Sequence, residues 1–122
     1  MIKDAYLVEI AKGMNSESYV TPSHLLISTD ELTPDATTQV ISGEIGTRET
    51  TSNSRDGSTM TLEVTRSSAS VIDTVNGDDI NTVGLSSALT SGTTLTQDTV
   101  TGILQTTDFD VQFIYNITPR RS

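Results

Sequence analysis

The densest set of polar side chains able to do chemistry is Asp73, Asn76, Asp78 and Asp79, in the run DTVNGDDI. Closely spaced carboxylate and amide oxygens are what a calcium ion takes as ligands. The bidentate glutamate that closes an EF-hand loop is missing, so these four residues are a weak metal candidate. They equally suit a turn that launches a strand, since Asn-Gly tolerates the positive φ of tight turns. The single histidine, His24, sits inside the apolar run HLLIS, with Asp30 and Glu31 as its nearest acidic neighbours in sequence. That setting suits a satisfied or surface histidine better than a general base or a ligand. There is no cysteine, so disulfides, thiolate nucleophiles and zinc-thiolate sites are all excluded. No nucleophile elbow, phosphate-binding loop or dinucleotide-binding glycine pattern is present, and catalysis and bound cofactors are not expected.

The elements around these residues set what they can do. Ser and Thr make up about thirty percent of the 122 residues, while aromatics are 4% and prolines number 3. Threonine suits a pleated, half-exposed surface, so the composition points to an all-β protein. Short strands separated by turn signals predict an antiparallel β-sandwich, or a flattened barrel, over 21–122. Residues 1–20 precede it as a short helix or arm. A helix is predicted over Ile2–Met14: Leu7, Ile10, Ala11 and Met14 fall at helical spacing, with Asp4 early and Lys12 late, as the helix dipole favours. Gly13 would begin the helix cap, and an N-terminal strand is the alternative.

Strands are predicted at His24–Ser28, over an interrupted stretch from Gln39 to Asn53, and at Ser58–Arg66, Ala69–Val75, Ile80–Ser87 and Thr93–Val100. Gly43 and Gly46 mark a bulge or bend, Arg55–Ser58 and Ser91-Gly92 mark turns, and Thr33–Thr37 reads as a loop. The last strand alternates most clearly: Phe109, Val111, Phe113, Tyr115 and Ile117 share one face, which makes it the expected anchor of the core.

The register across the Asp-rich run can be tested on paper. A two-residue Asn-Gly hairpin sets Val75 against Asp78, Asp73 against Ile80 and Ile72 against Asn81, which mixes apolar with polar. Widening the loop to Asn76–Asp79 sets Val75 against Ile80 and Ile72 against Val83, a better match of faces. A third option leaves the two runs unpaired, with the loop crossing between sheets. On the widened loop, Asp78 and Asp79 are solvent-facing, and Ile80, Val83 and Leu85 belong to the core or to assembly contacts.

The net charge of −9 argues against nucleic acid and anionic membranes as partners. With two lysines and dispersed acids, the surface suits solubility at high salt. The opening MIKDAYLVEI carries charges unlike a signal peptide, and no apolar run approaches the roughly 20 residues of a membrane span. Asn116-Ile117-Thr118 matches a glycosylation sequon, a pattern common by chance. Arg120-Arg121 ends the chain as a small basic tail that could dock on an acidic neighbouring subunit; a frayed terminus is the alternative.

The order HLLISTDELTP, GEIGTRE, SRDGSTMTLEV, NGDDINTVGL, SGTTLTQDTV and QTTDFDVQFIYNI resembles a small β-sandwich domain found in tail-fibre, tail-collar and related structural proteins of tailed phages and archaeal tailed viruses. The likeness runs from His24 onward. Where that family often has Gly-Thr-Gly, this chain has Ser28-Thr29-Asp30. Thr82 and Ser86 stand where it often has an acid and an aromatic. The resemblance implies a structural role without a catalytic residue: a homo-oligomer bound to other virion proteins, on the capsid surface or the tail, assembled in the host cytoplasm. A calcium- or carbohydrate-binding β-sandwich is the alternative, motivated by the Asp-rich loop.

Overall fold

A computed structural model describes residues 1–37, 40–66, 79–88, 93–104 and 110–118, with Thr101 and Gly102 described by backbone alone. One helix, α1 (Asp4–Met14), precedes seven strands: β1 (His24–Ser28), β2 (Glu44–Thr50), β3 (Ser52–Asp56), β4 (Thr59–Arg66), β5 (Asp79–Ser86), β6 (Thr94–Leu104) and β7 (Val111–Ile117). The strands form two antiparallel sheets, ordered β2-β1-β5-β6 and β3-β4-β7. The fold is therefore the all-β sandwich that the turn spacing predicts.

The core between the sheets is built by alternation. Leu62 and Val64 of β4 and Phe113 of β7 face Leu25 and Ile27 of β1 and Ile80, Val83 and Leu85 of β5. Val111, Tyr115 and Ile117 pack against this cluster while remaining partly exposed. The last strand is thus a contributor and not the anchor that its alternation suggests. It is an outer strand, hydrogen-bonded only to β4 among the described strands, so its ends stay open. β1 and β5, at the centre of the four-stranded sheet, are buried along most of their length. Phe109 lies outside the described residues.

The polar stretch Gln39–Asn53 is not one strand. β2 and β3 belong to different sheets, and the chain changes sheet at Thr51, whose amide donates to the Ser23 carbonyl at 2.8 Å. Between the pairs Leu25–Glu49 and Ile27–Ile45, β2 carries extra residues, the predicted bulge, and Gly46 takes a φ of +68° there. Gly57, at φ +60°, opens the two-residue loop Gly57-Ser58 between Asp56 and Thr59, so the predicted turn is present but one residue later than an Asp-Gly loop.

The widened hairpin across the Asp-rich run is overturned. Val83 pairs with Ile27 on one side and Asp98 on the other, which leaves no edge for Ile72. Asp79 is a ladder residue opposite Leu104, not a loop residue. β4 ends in one sheet and β5 begins in the other, so the chain crosses between sheets, the third option. Residues 67–78, with Ile72, Val75, Asp73, Asn76 and Asp78, lie outside the described residues, as do Ser91-Gly92, Arg120 and Arg121.

The four-stranded sheet is also covered on its outer face. Tyr6, Leu26, Ile41 and Leu95 are buried away from the main core. A Cβ on Gly84 would come within 2.7 Å of the Thr96 carbonyl oxygen and 2.9 Å of Ile41 Cδ1, so this glycine sets how closely the 40–41 segment approaches. Hydroxyls in the sheet hold the adjoining loop. Thr82 Oγ1 donates to the Asp30 carbonyl at 2.8 Å, Ser28 Oγ to that of Ser42 at 2.6 Å, and Thr99 Oγ1 to that of Leu32 at 3.2 Å. Part of the Ser/Thr excess is thereby explained: loop carbonyls drawn against the sheet need donors, and a short hydroxyl supplies one without adding charge.

Candidate assembly surface

Residues 1–3 run along the outer edge of β6. Ile2 bridges to Thr96, the Lys3 amide donates to the Leu95 carbonyl, and the Gln97 amide donates to the Met1 carbonyl, the last two at 2.9 Å. This short antiparallel pairing covers part of an edge that would otherwise expose a row of backbone groups. Lys3 is fully buried on the outer face of the sheet. Its Nζ donates to Gln97 Oε1 at 2.8 Å and to the Asp35 carbonyl at 2.5 Å. Burial pulls its pKa below the ordinary lysine value, and the charge of Asp35 works the other way.

Helix α1 starts at Asp4, directly after this anchor. The predicted end at Met14 holds, but the predicted start at Ile2 does not, because residues 1–3 pair with β6, and Gly13 does not begin the cap. Ser16, at φ +59°, follows the C-cap Asn15; the Ser16 amide donates to the Gly13 carbonyl and the Glu17 amide to that of Lys12. This is the Schellman pattern, with serine in the left-handed position where glycine is usual. Gly13 lies within the helix. Its role is space, because a Cβ there would meet the Tyr19 ring at 3.2 Å.

The predicted stripe Leu7, Ile10 and Met14 is exposed and forms no part of the core. Leu7 is 54%, Ile10 42% and Met14 84% exposed; Tyr6 is the residue that α1 buries. The reason is the arm. Pairing of residues 1–3 with β6 fixes the rotation of the helix and turns Tyr6 toward the sheet, so the apolar stripe faces outward. Val8, Tyr19 and Val20 are also exposed. Ile10, Met14, Tyr19 and Val20 line one groove of about 340 Å³ together with Met60. Val8 and Val20 border a second groove beside Leu95. The patch is therefore continuous around the helix. Most of the large apolar side chains exposed on the described residues lie within the first twenty.

Few charges interrupt this face. Glu9 and Lys12 pair with each other at 3.1 Å, and Glu9 Oε2 also accepts from the Val20 amide.

The remaining predicted residues are dispersed. Ile80, Val83 and Leu85 are in the core, as expected. His24 is half-buried, its Nδ1 2.8 Å from Ser23 Oγ. Asn116 is an exposed β7 residue whose Oδ1 accepts from Thr61 Oγ1 at 2.9 Å. Among the described residues, no three His, Asp or Glu side chains gather closely enough to hold a metal ion, and no helix is long and apolar enough to cross a membrane.

Two buried polar groups escaped the sequence reading. Arg66 is 1% exposed, in line with the apolar Leu62 and Val64; its Nη1 donates to the Thr47 carbonyl at 2.8 Å and lies 3.7 Å from Glu49 Oε1. It ties β4 to β2 across the sandwich. Burial lowers its pKa, with Glu49 opposing that shift. The Tyr115 hydroxyl is enclosed between the sheets with no partner in bonding geometry among the described residues, although Thr96 and Asp98 are its polar neighbours. Burial foremost, and then the Asp98 charge, push its pKa far above the ordinary tyrosine value. A polar residue in phase with apolar neighbours was the available signal for Arg66. Comparison with protein-family models, with curated proteins and with solved structures returns no match for this chain.

Proposed function

We propose that this chain is a structural protein of a tailed virus: a small, non-catalytic, homo-oligomeric accessory part of the capsid surface or tail. One observation carries the reading. In a chain with a net charge of −9, most of the large apolar side chains exposed on the described residues lie within the first twenty, many of them around α1. Contiguous apolar surface of this kind marks a protein-contact site. The ordered resemblance of the strand and turn segments to virion β-sandwich domains supports the same role. The partners are then other copies of the chain and neighbouring virion proteins, with neither nucleic acid nor membrane among them, and the protein resides in the particle after assembly in the host cytoplasm.

Mass spectrometry of purified particles, with immunogold labelling, tests this directly. The expected result is the protein at a fixed copy number per particle, with label confined to one part of the virion. Its absence from particles that retain the other structural proteins overturns the reading.

A further inference from the structure

The outward side of α1 repeats with the spacing of a coiled-coil seam. Asp4, Leu7, Ala11 and Met14 follow at intervals of three, four and three residues, and all four are exposed. Heptad seams alternate in this way. Val8 and Ile10 flank the seam and are exposed as well. The opposite side of the helix already packs on the β-sandwich through Tyr6. A helix with apolar side chains on both its packed and its exposed side has a second surface to bury.

We infer that α1 is the contact between two copies of this chain, packed antiparallel across a two-fold axis through the middle of the helix. This deepens the oligomeric reading above and rests on it. A two-fold contact must match its own image. Antiparallel superposition sets Leu7 of one copy against Ala11 of the other, large against small, with Asp4 against Met14 at the two ends, and the symmetry repeats both pairs. The short Ala11 side chain lets the two helices approach closely.

Area and charge agree with this occupant. Leu7, Val8, Ile10 and Met14 together expose on the order of 400 Å², about half of the roughly 800 Å² that one partner contributes to a standard interface. Two chains of net charge −9 repel at most approaches. On α1 the charges are Asp4, Glu9 and Lys12, and the last two pair within the chain, so this face is close to neutral. A basic partner would be drawn to the acidic remainder of the surface.

Sedimentation equilibrium of the full chain, combined with cross-linking, tests the contact. The wild type is expected to self-associate, and Leu7→Glu with Met14→Glu is expected to weaken association at least 100-fold while leaving the circular dichroism spectrum unchanged. Because the chain is cysteine-free, Ala11→Cys supplies a single thiol. A short bismaleimide is expected to join two such chains, and to leave Thr65→Cys, on the exposed face of β4, unlinked. A monomeric wild type overturns the inference. So does an oligomer that survives the double substitution and shows no Ala11→Cys cross-link, although that outcome leaves an assembled structural role standing. Absence from particles, by contrast, overturns the virion reading and not the helix pairing.

Discussion

Lys3 Nζ and Gln97 Oε1 lie 2.8 Å apart, with both residues buried on the outer face of the four-stranded sheet. This bond, with the contact to the Asp35 carbonyl, fixes the arm, the loop at 35 and β6 to one another. Lys3→Ala removes the ammonium and leaves Gln97 Oε1 and the Asp35 carbonyl without that donor. The expected loss is about 2–3 kcal/mol of stability, measured by urea unfolding, because buried acceptors left unpaired cost their desolvation. Hydrogen exchange is expected to rise first along α1.

Arg66 joins the sheets at the β2–β4 side. Arg66→Ala leaves the Thr47 carbonyl without this donor and opens space beside Val64. A loss of about 2–4 kcal/mol is expected in the same unfolding assay. Arg66→Lys is expected to recover only part of it, since the ammonium cannot reproduce the planar fork of the guanidinium.

Tyr115 carries an enclosed hydroxyl without a partner in bonding geometry among the described residues. Tyr115→Phe is expected to raise stability by up to about 1 kcal/mol, because an unmet polar group is removed and the ring stays. The variant also alters the alkaline limb. Burial raises the folded-state pKa of Tyr115 and Tyr6 above the ordinary value of 10.0. Above that pH the unfolded chain releases protons that the folded chain keeps, so their stabilising contribution falls as pH rises. Lys3, lowered by burial, acts in the opposite direction just below 10.5. Unfolding midpoints measured across the alkaline range are expected to fall less steeply in Tyr115→Phe than in the wild type.

Gly84→Ala places a Cβ against the Thr96 carbonyl oxygen and Ile41 Cδ1, on central strand β5. The carbonyl belongs to the β5–β6 ladder and has little room to move. A destabilisation of about 1–3 kcal/mol is expected, as for other overpacked cores, read as a lower thermal midpoint.

The sequence by itself determined the class of fold, the placement of β1, β4 and β5, the Gly57 turn and the existence of α1. These follow from short-range rules: side chains alternate along a strand, glycine accepts positive φ, and helical spacing repeats within a few residues. It also placed Ile80, Val83 and Leu85 correctly in the core. Only the tertiary structure decided which way α1 faces, because the rotation of that helix depends on Ile2 and Lys3 meeting Thr96, Leu95 and Gln97, nearly a hundred residues away. The same holds for the register of β5. An isolated pair of runs can be matched by hydrophobic pattern, but a central strand has two edges, and β1 and β6 occupy both beside Val83. Arg66 stood out in the sequence only by its phase with Leu62 and Val64; its partners Thr47 and Glu49 were out of reach, since they lie on a strand of the other sheet. The candidate surface was thus legible as a stripe of residue types, while its exposure came from the docking of three residues against a distant strand.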